Sequence, residues 1–202
     1  QRYDLSRARE NKFQDIMAVI VSGSLTSGLL LKLEKSSETL RLLREPKFRI
    51  GALSRGESKV SYRAINHWES LGILAPYRKT EQSGWRKFSL VECVTIRVML
   101  ELRKLGIETS KMKLFIGNLT DKYSTLSALG MSQIEQCMVV WAHTQLRMSI
   151  LAFGDGTSIS TTTENFLLAI HRFGYADEPF THLSLSRFIE DTCNPSPGSS
   201  SI

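Results

Sequence analysis

The sequence predicts a mostly α-helical fold with small β elements, and three observations carry that prediction. Apolar residues recur at helical spacing in several separate stretches, most clearly Leu90 to Leu105 and Met131 to Leu146. Asp155-Gly156 stands between the β-prone runs MSILAF and TSISTT, the pattern of a hairpin. Charge is divided along the chain: residues 47–113 carry 14 basic and 6 acidic side chains, residues 114–202 carry 4 and 8. The expected organisation is an N-terminal helical extension at 1–46, a basic domain at 47–117, a small α+β domain at 118–192 and a disordered tail at 193–202.

Taken in order, residues 8–45 read as two short helices broken by the Gly/Ser run Ser22–Gly28. Ser36-Ser37 before Glu38 starts the second, and Pro46 ends it. This part offers no chemistry. Its apolar ends, IMAVIV and LLLKL, flank SGSLTSG, which is too polar for a spanning helix, so no membrane is expected. Ile50–Arg55 reads as a short helix and Ser61–Leu71 as another, with Ser61 as N-cap and Gly72 as terminator. The polar stretch Pro76–Ser89, with Gly84, Trp85 and Phe88, reads as a hairpin or wing. Ser89 caps a helix to Leu105 whose apolar stripe is Val91, Val94, Val98, Leu102 and Leu105. Gly106 stops it, and Ser110 opens a short helix through Phe115.

The C-terminal part has a different texture. Met131–Leu146 is a helix with the apolar face Ile134, Met138 and Trp141. This face needs a partner, within the chain or across a two-fold axis, and is expected to contribute to a dimer. The GDG hairpin follows, then a helix from Thr163 to Gly174, a strand in THLSL and a closing helix in SRFIED. The tail NPSPGSSSI has the composition of a disordered segment.

Two short helices joined by a tight turn and followed by a basic wing make the layout of a winged helix-turn-helix. The second helix places Arg63, Asn66 and His67 along one side at i, i+3 and i+4. Arg and Asn have the geometry for bidentate contact with guanine and adenine edges. The wing cations Arg78, Lys79, Arg86 and Lys87 suit phosphates, which position a protein without reading sequence. Ser61 and Tyr62, at the helix start, complete the candidate site. Trp85 is expected to pack the wing, and Met99 and Met112 to fill the core.

From Phe48 to Leu119 the sequence resembles the DNA-binding domain of the MerR family of bacterial transcription regulators. The resemblance rests on four blocks in order: FRIGALS, VSYRAINHWESLGIL, RKTEQSGWRKFS and LVECVTIRVMLELRKLGIETSKMKLFI. It departs from the family where RYYE becomes Asn66-His67-Trp68-Glu69, replacing an arginine and a phosphate-contacting tyrosine. The turn Gly56–Lys59 and the wing near Gln82 are each one residue longer. The resemblance implies sequence-specific binding of double-stranded DNA to regulate transcription, as a homodimer on an inverted repeat, with RNA polymerase as a further partner. An excisionase-like or architectural DNA-bending protein shares the layout and is the alternative.

Other classes find little support. Cys93, Cys137 and Cys193 are too far apart for a ligand pair, and His67, His143, His171 and His182 have no ligand spacing to them. No catalytic constellation or cofactor motif is readable, so neither enzyme activity nor a cofactor or metal is expected. With no signal peptide visible, the expected location is the reducing cytoplasm, at the nucleoid.

Overall fold

The computed structural model describes residues 33–49, 60–74, 86–121 and 131–193. Helix α1 spans Leu33–Arg44. It starts before Ser36 and runs on through Ser37, which is exposed, where a serine costs a helix little; Glu38 and Arg41 pair along the helix at 2.6 Å. Helix α2 spans Tyr62–Ser70. The expected helix at Ile50–Arg55 and the wing tip around Gly84 lie outside the described residues. The described residues at the end of the expected wing pair with the chain before α2. Phe48 and Phe88 form an isolated antiparallel bridge, with backbone bonds of 2.9 and 2.8 Å, and Phe88 is fully buried.

Helix α3, Leu90–Lys104, begins with a reciprocal cap: the Ser89 hydroxyl accepts from the Glu92 N–H and the Glu92 carboxylate accepts from the Ser89 N–H. The expected single apolar stripe is too narrow. Every residue from Cys93 to Met99 is buried, so α3 is a central helix covered on most sides. Leu105, expected in that stripe, is 57% exposed. It sits at the C-cap, one residue before Gly106 turns left-handed at φ 78°, and so leaves the helical face.

Helix α4 spans Thr109–Thr120, longer than the expected Ser110–Phe115. Gly117 does not end it, because Ile116 and Leu119 on either side are almost fully buried and offset glycine's cost of about 1 kcal/mol. Helix α5 spans Gln133–Thr144 and repeats the reciprocal cap with Ser132 and Glu135. Strands β1, Met148–Phe153, and β2, Ser158–Thr162, form the hairpin; Gly156 takes the left-handed position of its short loop at φ 85°. A 3-10 turn, Thr163–Asn165, leads into α6, Phe166–Phe173, which Gly174 closes. Strand β3, Phe180–Ser184, pairs antiparallel with β1, giving the order β2-β1-β3, and α7, Leu185–Cys193, ends the described chain. The expected tail lies beyond it.

One hydrophobic cluster joins these parts. It includes Leu43 of α1, Ile65 and Trp68 of α2, Met99 of α3, Ile116 of α4, Met138 of α5, Ile150 of β1 and Ile189 of α7. A second, smaller cluster lies between the other sheet face and α6, where Phe153 stacks on Tyr175 at 4.1 Å. The face Ile134, Met138 and Trp141 needs a partner within the chain or across a two-fold axis, and a contribution to a dimer was expected. Instead Ile134 and Met138 are fully buried in the chain's own cluster, and Trp141 packs against it half-buried. The reason is that α1, α4 and the sheet all reach α5, so its apolar side is already filled.

Polar contacts tie distant segments together. The Arg44 guanidinium grips the Glu135 carboxylate with two bonds of 2.8 and 2.9 Å, joining α1 to α5. Thr39 meets His143 at 3.1 Å along the same contact. Arg97, almost buried on α3, donates from Nε to the Thr192 hydroxyl of α7 at 2.9 Å.

Candidate nucleic-acid interface

Helix α2 divides cleanly into two sides. Ser61 caps it, its hydroxyl accepting from the Ala64 N–H at 3.1 Å. Ile65 and Trp68 face inward at 0% and 2% exposure, which settles Trp68 as a core residue. Ser61, Tyr62, Arg63, Asn66 and His67 are all exposed. The helix ends in a Schellman motif: the Ile73 N–H reaches the Trp68 carbonyl and the Gly72 N–H the Glu69 carbonyl, both at 2.9 Å. Gly72 supplies the left-handed residue at φ 67° that the motif requires. Leu74 then drops into the core. The buried side and the firm C-terminal stop fix the direction in which Arg63, Asn66 and His67 point away from the protein.

Arg86, two residues before the buried Phe88, reaches this helix. Its Nη1 donates to the Asn66 Oδ1 at 2.6 Å, and its Nη2 lies 3.2 Å from the Glu69 Oε2. The Glu69 side chain is 11% exposed, so the pair is sheltered more than a surface ion pair. Lys87, next in sequence, is exposed. Arg78 and Lys79 lie outside the described residues. Of the residues expected to act together, the structure brings Arg63, Asn66, His67 and Arg86 to one place.

Glu69 belongs to this constellation and was not anticipated. The signal for it is weak: Glu69 sits one turn after Asn66, but nothing local says that Arg86, 20 residues after Asn66, contacts both.

Elsewhere the chemistry is quiet. Among the described residues no group of three His, Cys, Asp or Glu side chains could hold a metal ion. Cys93 and Cys137 are buried and Cys193 is exposed. Burial pushes the Cys137 thiol up to about 11 and the Cys93 thiol higher still, the latter helped by the Glu92 carboxylate. Neither is a ready nucleophile. Among the described residues no helix is long and apolar enough to cross a membrane.

Comparison with known proteins gives one result, and it falls on this region. Residues 48–116 match the family model described as MerR HTH family regulatory protein. No curated protein and no solved structure matches the chain significantly. The matched segment contains α2, the Phe48–Phe88 bridge, Arg86 and α3. Residues 48–116 are thus similar to the helix-turn-helix segment of MerR-type regulatory proteins.

Proposed function

We propose that this protein is a transcription regulator that binds double-stranded DNA in a sequence-specific way. The observation that carries the reading is the outward side of α2 within the family-matched segment: Tyr62, Arg63, Asn66 and His67 are exposed together while Ile65 and Trp68 anchor the helix from behind. Arg63 and Asn66 reach base edges in the major groove; Tyr62, His67 and Lys87 contact the phosphate backbone, joined by Arg78 and Lys79 of the wing. The reading includes a homodimer on an inverted repeat, because one face of this size touches few base pairs. It also includes RNA polymerase as a partner at the promoter, and a place in the cytoplasm with the nucleoid. The 118–192 segment then serves dimerisation or regulation.

The test is to pass fragmented genomic DNA over the purified full chain and sequence what is retained. The expected result is a small set of sites sharing an inverted repeat, upstream of genes. Affinity for that site should fall roughly 10³-fold between low and moderate salt, for about six phosphate contacts. Retention independent of sequence, or indifferent to salt, would overturn the reading. Sites confined to recombination attachment regions would replace it with an architectural role.

A further inference from the structure

Asn66 stands where the family's pattern has an arginine, and the structure gives it an unusual neighbour. Arg86 donates to its Oδ1 at 2.6 Å while its other arm lies against Glu69. A guanidinium has donors only, so the amide must turn its oxygen toward Arg86, and only one flip of the side chain fits. The sheltered Glu69 carboxylate holds the guanidinium in place. What Asn66 then offers outward is its Nδ2 group, with two donor hydrogens.

This bears on which base it can read. Bidentate recognition of adenine uses the amide oxygen to accept from N6 and the amide nitrogen to donate to N7. Here one lone pair of Oδ1 is committed to a charge-assisted bond, and the other lies beside a cation. The amino group of adenine would approach positive charge. Guanine presents N7 and O6, two acceptors, to the same position. We propose that Arg86 holds Asn66 as a hydrogen-bond donor, so that the pair selects guanine over adenine at one base pair in each half-site. Arg86 is a positioning residue in this scheme and Asn66 the reader. The proposal rests on the DNA-binding reading above and deepens it.

The experiment selects duplexes from a randomised pool with the full chain at fixed salt, then measures competition between duplexes that differ at one base pair. The expected result is a position where guanine is favoured over adenine by about tenfold. Asn66→Ala, a change at an exposed residue, should erase the preference at that position alone. Arg86→Met should shift the same position toward adenine, while Arg86→Lys, which keeps a cationic donor, should retain guanine. A purely structural role for Arg86 would weaken all duplexes alike and leave the base ranking unchanged, and that result would overturn the proposal. So would an Asn66-dependent position that prefers adenine in the unmodified protein, or an Asn66→Ala variant with every preference intact. Failure to enrich any duplex would overturn the DNA-binding reading itself, a different outcome from enrichment with the wrong base.

Discussion

Arg44→Met should loosen the whole protein, although Arg44 lies outside the family-matched segment. Its guanidinium makes two bonds to Glu135, whose side chain is 2% exposed, while Arg44 itself is 38% exposed. A fully buried ion pair costs about 3–5 kcal/mol to break from one side, and an exposed one about 0–1. With one end buried and the other partly wet, the loss should be about 2–3 kcal/mol. Methionine keeps much of the stem, so little of this is lost packing. Glu135 also accepts from the Ser132 N–H at 2.8 Å, and that cap survives the change. Glu135→Gln preserves an acceptor for the cap and removes the charge. The double variant should therefore cost less than the sum of the two, with a coupling of about 1–2 kcal/mol. Urea unfolding of the four proteins at neutral pH measures it; urea is preferred because guanidinium salts screen the pair. A coupling below about 0.3 kcal/mol would refute the argument that this bond fastens α1 to α5.

Other outcomes can be checked independently. Gly156→Ala should destabilise the protein by about 2 kcal/mol or more in the same unfolding assay, because Gly156 has φ 85° and an added Cβ would come within 2.5 Å of the Leu114 side chain. Alkylation of the native protein should label Cys193 and spare Cys93 and Cys137, with all three labelled in urea. Because burial raises the folded pKa of Cys137 to about 11 from an ordinary value near 9, the folded state holds that proton longer than the unfolded chain; stability should be complete below about pH 9 and fall by up to about 1.4 kcal/mol per unit toward pH 11, a decline that Cys137→Ala should reduce. Arg63→Ala should cost about 1–3 kcal/mol of DNA affinity and relax base preference at one position per half-site, read by gel shift on single-base variants of the selected site.

How much of this could be read in advance depends on the range of the interactions. Features written in a few adjacent residues were legible: the Ser61 and Ser89 caps, the Gly72 stop and the hairpin at Asp155-Gly156. The outward placement of Arg63, Asn66 and His67 followed from the same local spacing. Features that join remote segments were not. The Arg44–Glu135 bond spans 91 residues and the Arg97–Thr192 bond 95, so no local pattern announces either. The face of α5 shows the cost of that blindness. Ile134, Met138 and Trp141 do form an apolar surface, but periodicity cannot say whose surface covers it, and the chain's own cluster does. Arg86 is the same problem at shorter range: its charge is plain in the sequence, while its attachment to Asn66 and Glu69 is a tertiary contact across 20 residues.

The contact between α3 and α7 has a consequence for the newborn chain. Arg97 emerges from the ribosome well before Thr192, the residue its side chain will meet. At about 5–20 residues per second, a gap of 95 residues lasts roughly 5–20 s. Throughout that interval the central helix has been made but its last covering helix has not, and its greasy flank is open to any passing chaperone or neighbouring polypeptide. Hydrophobic burial there waits for α7 and is not complete when the family-matched segment appears. A ribosome stalled between the two helices should therefore display a nascent chain that binds a holdase and yields to protease, and release from the stall should end both within seconds.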